Sequence, residues 1–176
     1  MFVPKEIEKI LFTEKEIAER VKQLGLQLTD EYKGKNPLLL CVLKGAAPFF
    51  TDLIRSMDME VQIEFIRASS YTGTQSSGDV KLNVSEFPDV CGRDVLIVED
   101  IVDTARTMAL LKEHILAMNP SSVKIASFLD KPSRRVVEGF KADYVGFSID
   151  DYFVVGYGLD CDQRFRNLPY IGIYKI

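Results

Sequence analysis

Apolar and polar positions fall into two periodicities along the chain. Thr13 and Glu16 form a capping box, and Ile17, Val21, Leu24 and Leu28 follow at helical spacing, predicting a helix over 13–32. Leu38 to Leu43 is a continuous apolar run, read as a strand buried on both faces, ending at Lys44-Gly45 before a helix over 46–57. Residues 60–66 (EVQIEFI) alternate as a strand does. Residues 67–79 (RASSYTGTQSSGD) then turn small and polar, predicting a long loop, with Val80 to Val84 as a returning strand. Asp94 to Val98 forms a second buried strand that runs into Glu99-Asp100 and is followed by a helix over 104–118. Ser122–Leu129 and Tyr144–Ile149 supply further strands, with a shorter pair at Phe153–Val155 and Ile171–Tyr174. Strands alternating with helices predict an α/β fold with a mostly parallel central sheet flanked by helices. Ligands in such sheets sit at the carboxyl ends of strands, here 43–45, 99–107 and 130–131.

Length keeps these elements together: 176 residues without repeat or Pro/Gly-rich linker predict a single domain, residues 1–176. With 22 Lys+Arg against 26 Asp+Glu the net charge is −4, so no basic field holds nucleic acid by counterion release. No apolar run is long enough to span a bilayer, and the opening MFVPKEIEKILF lacks a secretory pattern, so the expected location is the cytoplasm, away from membranes. Cys41, Cys91 and Cys161 form no CxxC pair, and His114 is the single histidine; neither a disulfide framework nor a thiolate or multi-His metal centre is suggested.

The strongest chemical signal is Val98-Glu99-Asp100-Ile101-Val102-Asp103-Thr104-Ala105-Arg106-Thr107, a buried strand ending in two adjacent carboxylates with a third three residues on. Thr104 to Thr107 open a helix, where free N–H groups, hydroxyls and small residues suit a phosphate. Adjacent carboxylates repel unless ligand hydroxyls or a divalent cation share their lone pairs, and Mg²⁺ prefers such oxygens. Other phosphate motifs fit poorly: Gly-x4-Gly-Lys-[Ser/Thr] is absent, and Gly156-Tyr157-Gly158 is not completed to a dinucleotide fingerprint.

Residues 95–107, VLIVEDIVDTART, resemble the phosphoribosyl-diphosphate signature of the type I phosphoribosyltransferases, and more narrowly of the hypoxanthine-guanine phosphoribosyltransferases of bacterial type. Four further blocks occur in order. Leu43-Lys44-Gly45 resembles the pyrophosphate loop, Ser69-Ser70-Tyr71 the mobile catalytic loop, Leu129-Asp130-Lys131-Pro132-Ser133-Arg134-Arg135 the purine-contacting strand end, and Phe153 to Asp160 the base-stacking hood. Arg166 matches the pyrophosphate-binding arginine. The resemblance implies the type I phosphoribosyltransferase fold with a small hood, built from the N-terminal segment and about 150–176. It also implies a dimer or tetramer, between which the sequence does not choose.

The activity implied is purine salvage: transfer of the 5-phosphoribosyl group from 5-phosphoribosyl 1-diphosphate to N9 of a 6-oxopurine, hypoxanthine and guanine, giving IMP or GMP and pyrophosphate. By the same resemblance Glu99 and Asp100 take the ribose hydroxyls and their Mg²⁺, and Asp160 a second Mg²⁺ through water. Lys44, Gly45 and Arg166 take pyrophosphate, and Thr104, Ala105, Arg106 and Thr107 the 5-phosphate. Asp103 is the candidate general base or acid at purine N7. Lys131 donates to the purine 6-oxygen, Phe153 stacks on the ring and the Val154 carbonyl accepts from the opposite edge. Residues 67–79 form a closing lid with Ser70 and Tyr71 on pyrophosphate, and the peptide between Leu43 and Lys44 is cis. Two positions depart from the pattern. Ala105 stands where Gly is usual, for which a negative φ is expected because a methyl group disfavours the left-handed region, and Cys161 stands where an aromatic residue is common. The rival readings are a xanthine- or adenine-directed sister enzyme and a non-catalytic regulator sensing the phosphoribosyl donor.

Overall fold

A five-stranded, wholly parallel sheet carries the molecule, in the order β3-β2-β6-β7-β8. Its strands are β2 (Leu38–Leu43), β3 (Gln62–Arg67), β6 (Asp94–Val102), β7 (Ser122–Asp130) and β8 (Tyr144–Ser148). The computed structural model describes residues 2–67, 69–72, 80–83 and 87–175, with only the backbone path for 69–72 and 80–83. Helices α1 (Glu14–Glu31), α2 (Ala47–Ser56) and α3 (Arg106–Leu116) cover the sheet.

Local chemistry sets the boundaries. Thr13 caps α1 and Glu16 returns the bond to the Thr13 amide at 2.8 Å, satisfying two amides that the first helical turn leaves free. The stripe Ile17, Val21, Leu24 and Leu28 is buried with Phe49, Phe50 and Leu53 of α2 against one sheet face, through Leu39, Cys41, Leu96 and Val98. Met108, Leu111 and Ile115 of α3 close the opposite face over Leu38, Leu40, Val95 and Ile97. β2 and β6 are therefore sandwiched between helices, which is why their sequences are continuously apolar. The alternating strand β3 lies at the sheet edge: Ile66 is buried, whereas Ile63 and Phe65 on the other face stay largely exposed, Phe65 resting on Phe50 with ring centroids 5.4 Å apart.

Three features differ from expectation. β1 (Ile7–Phe12) is a strand that its own sequence does not announce; it pairs antiparallel with β10 (Ile171–Tyr174), which pairs with β9 (Val154–Val155) to make a small second sheet. Part of the expected long loop is ordered as β4 (Ser69–Thr72), antiparallel to β5 (Val80–Asn83), so the polar stretch is shortened by a ladder that supplies its backbone hydrogen bonds. The lid expected at 67–79 falls mostly on Ala68 and residues 73–79, which lie outside the described residues. Finally, β6 continues through Glu99 and Asp100 to Val102 rather than ending at Val98, because Glu99 and Ile101 stay in register with Ser127 and Leu129 of β7. Among the described residues no helix is long and apolar enough to cross a membrane.

Candidate active site

The carboxyl ends of β2, β6 and β7 deliver the candidate residues to one side of the sheet. β2 ends at Leu43, whose peptide to Lys44 is cis. Gly45 then runs against Asp100 so closely that an added Cβ would lie 1.5 Å from Asp100 Oδ2. On the other side of that turn, a Cβ on Gly158 would meet the Gly45 carbonyl oxygen at 1.9 Å. Gly158, Gly45 and Asp100 thus form a stack in which the chain itself is the packing surface, and only glycine fits the first two layers.

Asp160, two residues after Gly158, is held by Arg166, whose Nη2 lies 2.7 Å from Asp160 Oδ1 while Nη1 donates to the Gly158 carbonyl at 2.8 Å. Arg166 Nε is buried and without a protein partner. Lys44 Nζ, exposed, donates to Gln163 Oε1 at 3.3 Å, and the Gln163 amide donates to Asp160 Oδ2 at 2.8 Å. Lys44, Gly45, Asp100, Asp160 and Arg166 therefore belong to one constellation.

Electrostatics single out the two adjacent carboxylates. Burial, followed by repulsion from Asp100, drives the Glu99 carboxyl well above the ordinary carboxylate range, and Glu99 Oε2 is buried with no partner. Burial likewise raises Asp100 to about 6, against the lowering pull of the Ile101 amide, which donates to Asp100 Oδ1 at 2.7 Å, and of the Arg166 guanidinium. An orphaned buried acceptor beside a second crowded carboxylate attracts positive charge, so the donor set fits Mg²⁺. Among the described residues no group of three or more His, Cys, Asp or Glu gathers at metal-ligand spacing. A cation here would complete its shell with substrate oxygens and water, as Mg²⁺ commonly does.

Beyond Val102 the chain turns through Asp103, Thr104 and Ala105 into α3, whose first-turn amides have no intrahelical acceptor. Ala105 corrects the expectation from sequence: its φ is +68°, not negative. Tertiary packing overrides the local preference, for Ala105 is buried among the residues packed on α3 and its carbonyl accepts the Ala109 amide at 2.9 Å, which starts the helix. Thr104, Arg106 and Thr107 surround the same turn, with the Arg106 amide 3.5 Å from Thr104 Oγ1.

At the end of β7 the Lys131 amide donates to the Val102 carbonyl at 3.0 Å, so Lys131 sits beside Asp103. Its side chain is only 9% exposed and its ammonium lies 3.5 Å from Asp151 Oδ1. Arg134 Nη1 lies 3.5 Å from Asp151 Oδ2, and Arg134 Nε donates to Asp103 Oδ1 at 3.2 Å. Arg135 is tied to Asp130 and donates to the Asp103 carbonyl at 2.6 Å, stitching the ends of β6 and β7 together. Phe153 is half-exposed, with the edge of Tyr174 on one side at 5.6 Å between centroids, and Val154 is buried in β9 opposite Ile173. Cys161 is half-buried in a bridge to Arg164. Ser70 and Tyr71 lie on the β4 backbone path.

Sequence reasoning missed Gln163, Asp151 and the contacts of Arg134 and Arg135. The two arginines stood in the DKPSRR block without roles; nothing local marked Asp151, whose partners are distant in sequence, or the reach of the Gln163 side chain to Lys44.

The chain matches the family described as "Phosphoribosyl transferase domain" over residues 8–162. A hypoxanthine-guanine phosphoribosyltransferase of Lactococcus lactis is 52% identical over 172 residues, 97% of this chain and 93% of the relative. One from Streptococcus thermophilus is 49% identical over 172 residues, 97% and 95% respectively. Among solved structures, a hypoxanthine phosphoribosyltransferase from Staphylococcus aureus superposes with a TM-score of 0.88 at 42% identity, covering 97% of this chain and 92% of that one. A Trypanosoma cruzi hypoxanthine phosphoribosyltransferase, a point mutant in a ternary substrates complex, gives a TM-score of 0.90 at 40% identity, covering 98% and 97%.

Proposed function

The chain belongs to the phosphoribosyltransferase family, within its hypoxanthine-guanine branch, and on that premise we propose how its residues transfer a 5-phosphoribosyl group from 5-phosphoribosyl 1-diphosphate to N9 of hypoxanthine or guanine. The observation that carries the residue assignment is the convergence of Gly45, Asp100 and Gly158 at a separation that excludes side chains. It sets the 44–45 turn directly against the crowded Glu99–Asp100 pair, so that groups for the diphosphate and for the ribose hydroxyls of one donor lie side by side.

Departure of pyrophosphate leaves an oxocarbenium-like ribose carbon, so catalysis consists mainly of holding the leaving group and orienting the base. The backbone of Lys44 and Gly45, with the Lys44 and Arg166 side chains, binds the pyrophosphate oxygens, and the buried, unpartnered Arg166 Nε offers a further donor. Glu99 and Asp100 accept the ribose hydroxyls and would hold Mg²⁺, and Asp160 would help to hold a second ion. When bound, Mg²⁺ would neutralise charge on the diphosphate. The turn Thr104, Ala105, Arg106 and Thr107 cradles the 5-phosphate at the start of α3.

Phe153 stacks on the purine, Lys131 donates to the 6-oxygen, and the Val154 carbonyl accepts from the far edge. Arg134 takes Asp103 Oδ1, leaving Oδ2 to receive the N7 proton as N9 attacks. Ser70 and Tyr71 close the donor side, and the three-stranded sheet of β1, β10 and β9 serves as the hood within a single domain, 1–176. A homodimer or homotetramer in the cytoplasm completes the reading. The relatives named above are hypoxanthine or hypoxanthine-guanine enzymes, so neither the xanthine-directed nor the regulatory alternative gains support. The test is pyrophosphate release with Mg²⁺, the phosphoribosyl donor and each purine in turn: turnover with hypoxanthine and guanine and almost none with adenine is expected. Adenine turnover within about tenfold of hypoxanthine removes the Lys131 assignment, since a site built for one hydrogen bond rejects the mismatched partner far more strongly.

A further inference from the structure

Resting on that purine-site reading, we infer that Asp151 is a positioning residue that fixes the spacing between the group reading the purine 6-oxygen and the group receiving the N7 proton. Four charges alternate in one chain: Lys131, Asp151, Arg134, Asp103. Asp151 sits at its centre, one oxygen 3.5 Å from Lys131 Nζ and the other 3.5 Å from Arg134 Nη1. Arg134 passes the constraint on through its 3.2 Å contact to Asp103.

Two facts make this more than a surface ion pair. Exposed pairs contribute little because water competes for both partners, and Asp151, Arg134 and Asp103 are each about half exposed, but the Lys131 side chain that anchors the link is 9% exposed, and a lysine this enclosed is rare without a partner. Lys131 and Arg134 also approach the same carboxylate, so without its charge they would face each other as two cations. The ammonium has three donors; drawn toward Asp151 by an ion pair at 3.5 Å, it keeps donors free for a ligand acceptor. In a 6-oxopurine, the 6-oxygen and N7 share one edge, so donor and acceptor must be presented together at fixed separation. A link through one carboxylate and one planar guanidinium supplies that rigidity, since the guanidinium fork is set by its own geometry. Asp151 lies between β8 and β9, two residues before Phe153, so the same segment sets both the stacking ring and the charge link.

The experiment is steady-state kinetics of wild type, Asp151→Asn, Asp151→Glu, Arg134→Gln and Lys131→Gln with hypoxanthine and adenine, alongside thermal unfolding of each. Asp151→Asn is expected to raise the hypoxanthine KM roughly tenfold, the scale of one hydrogen bond to a charged group, and to erode selectivity over adenine by a similar factor. The donor KM stays within about twofold, and Asp151→Glu restores much of the loss. Arg134→Gln is expected to lower kcat with little change in hypoxanthine KM, because it releases Asp103 rather than Lys131. Should Asp151→Asn fold poorly, Asp151→Ser reads the same quantities. The inference is overturned if Asp151→Asn leaves hypoxanthine KM and selectivity unchanged while Lys131→Gln alters them, or if donor and purine KM rise together as general damage would cause. If Lys131→Gln is itself silent, the assignment of Lys131 fails and this inference with it.

Discussion

Replacing Asp100 by Asn should stabilise the ligand-free protein, and by an amount that depends on pH. Asp100 is raised by burial from its ordinary 3.8 to about 6. A rise of about 2 at about 1.4 kcal/mol per pH unit makes the ionised native state costlier by about 3 kcal/mol. The native protein holds this proton to higher pH than the unfolded chain, so stability falls as pH climbs from about 4 to about 6 and stays low above it. Asn keeps the shape and an oxygen for the Ile101 amide but has no charge to bury. The gain from Asp100→Asn should therefore be near zero at pH 4 and reach up to about 3 kcal/mol at pH 8, about 6–12 °C in Tm at this chain length. Three is a ceiling, because residual solvent contact at the carboxylate softens the penalty. Glu99, raised in the same direction, adds its own slope. Thermal unfolding of both proteins in metal-free buffer at pH 4, 6 and 8 measures the difference. Stability profiles that run parallel across that range would refute the buried-charge account of the site.

Gly45→Ala should abolish measurable transferase activity, since the new methyl group would occupy the position of Asp100 Oδ2; circular dichroism separates a displaced turn from an unfolded chain. Ala105→Gly should be neutral or stabilising by up to about 1 kcal/mol in urea denaturation, because it removes a methyl group from a left-handed residue. Ala105→Val should cost about 2 kcal/mol or more, by combining left-handed strain with a buried branched side chain. Asp103→Asn should lower kcat about 10²–10⁴-fold with the donor's Kd little changed, as single-turnover and binding measurements would show.

The parallel sheet was legible because its central strands are sandwiched and their sequences say so: Leu38 to Leu43 and Asp94 to Val98 need no neighbour to be recognised. β1 was not, because Ile7–Phe12 becomes a strand through β10, more than 150 residues away, and through the stacking of Phe12 on Phe147. The turn of Thr104 to Thr107 into α3 and the Glu99–Asp100 pair could be read from contiguous residues, as could the Thr13–Glu16 box. The conformation of Ala105 could not: intrinsic preference points to negative φ, and only packing under α3 reverses it. The charge link through Asp151 was equally hidden, since its partners lie on another strand end and only the fold sets their distance.

The stack of Gly158 on Gly45 on Asp100 makes three remote stretches of sequence interdependent in their tolerance of change. Each layer already touches the next without an intervening side chain, so a methyl group added to either glycine must be absorbed by moving a neighbouring layer. A bulkier residue at 158 would push the 44–45 turn toward Asp100, and that carboxylate cannot retreat without breaking its bond to the Ile101 amide. A side chain at Gly45 should therefore be accepted only with a smaller residue at position 100. Gly158, at a φ of +100°, should resist a side chain in any combination, and a library randomising either glycine alone should recover almost nothing but glycine.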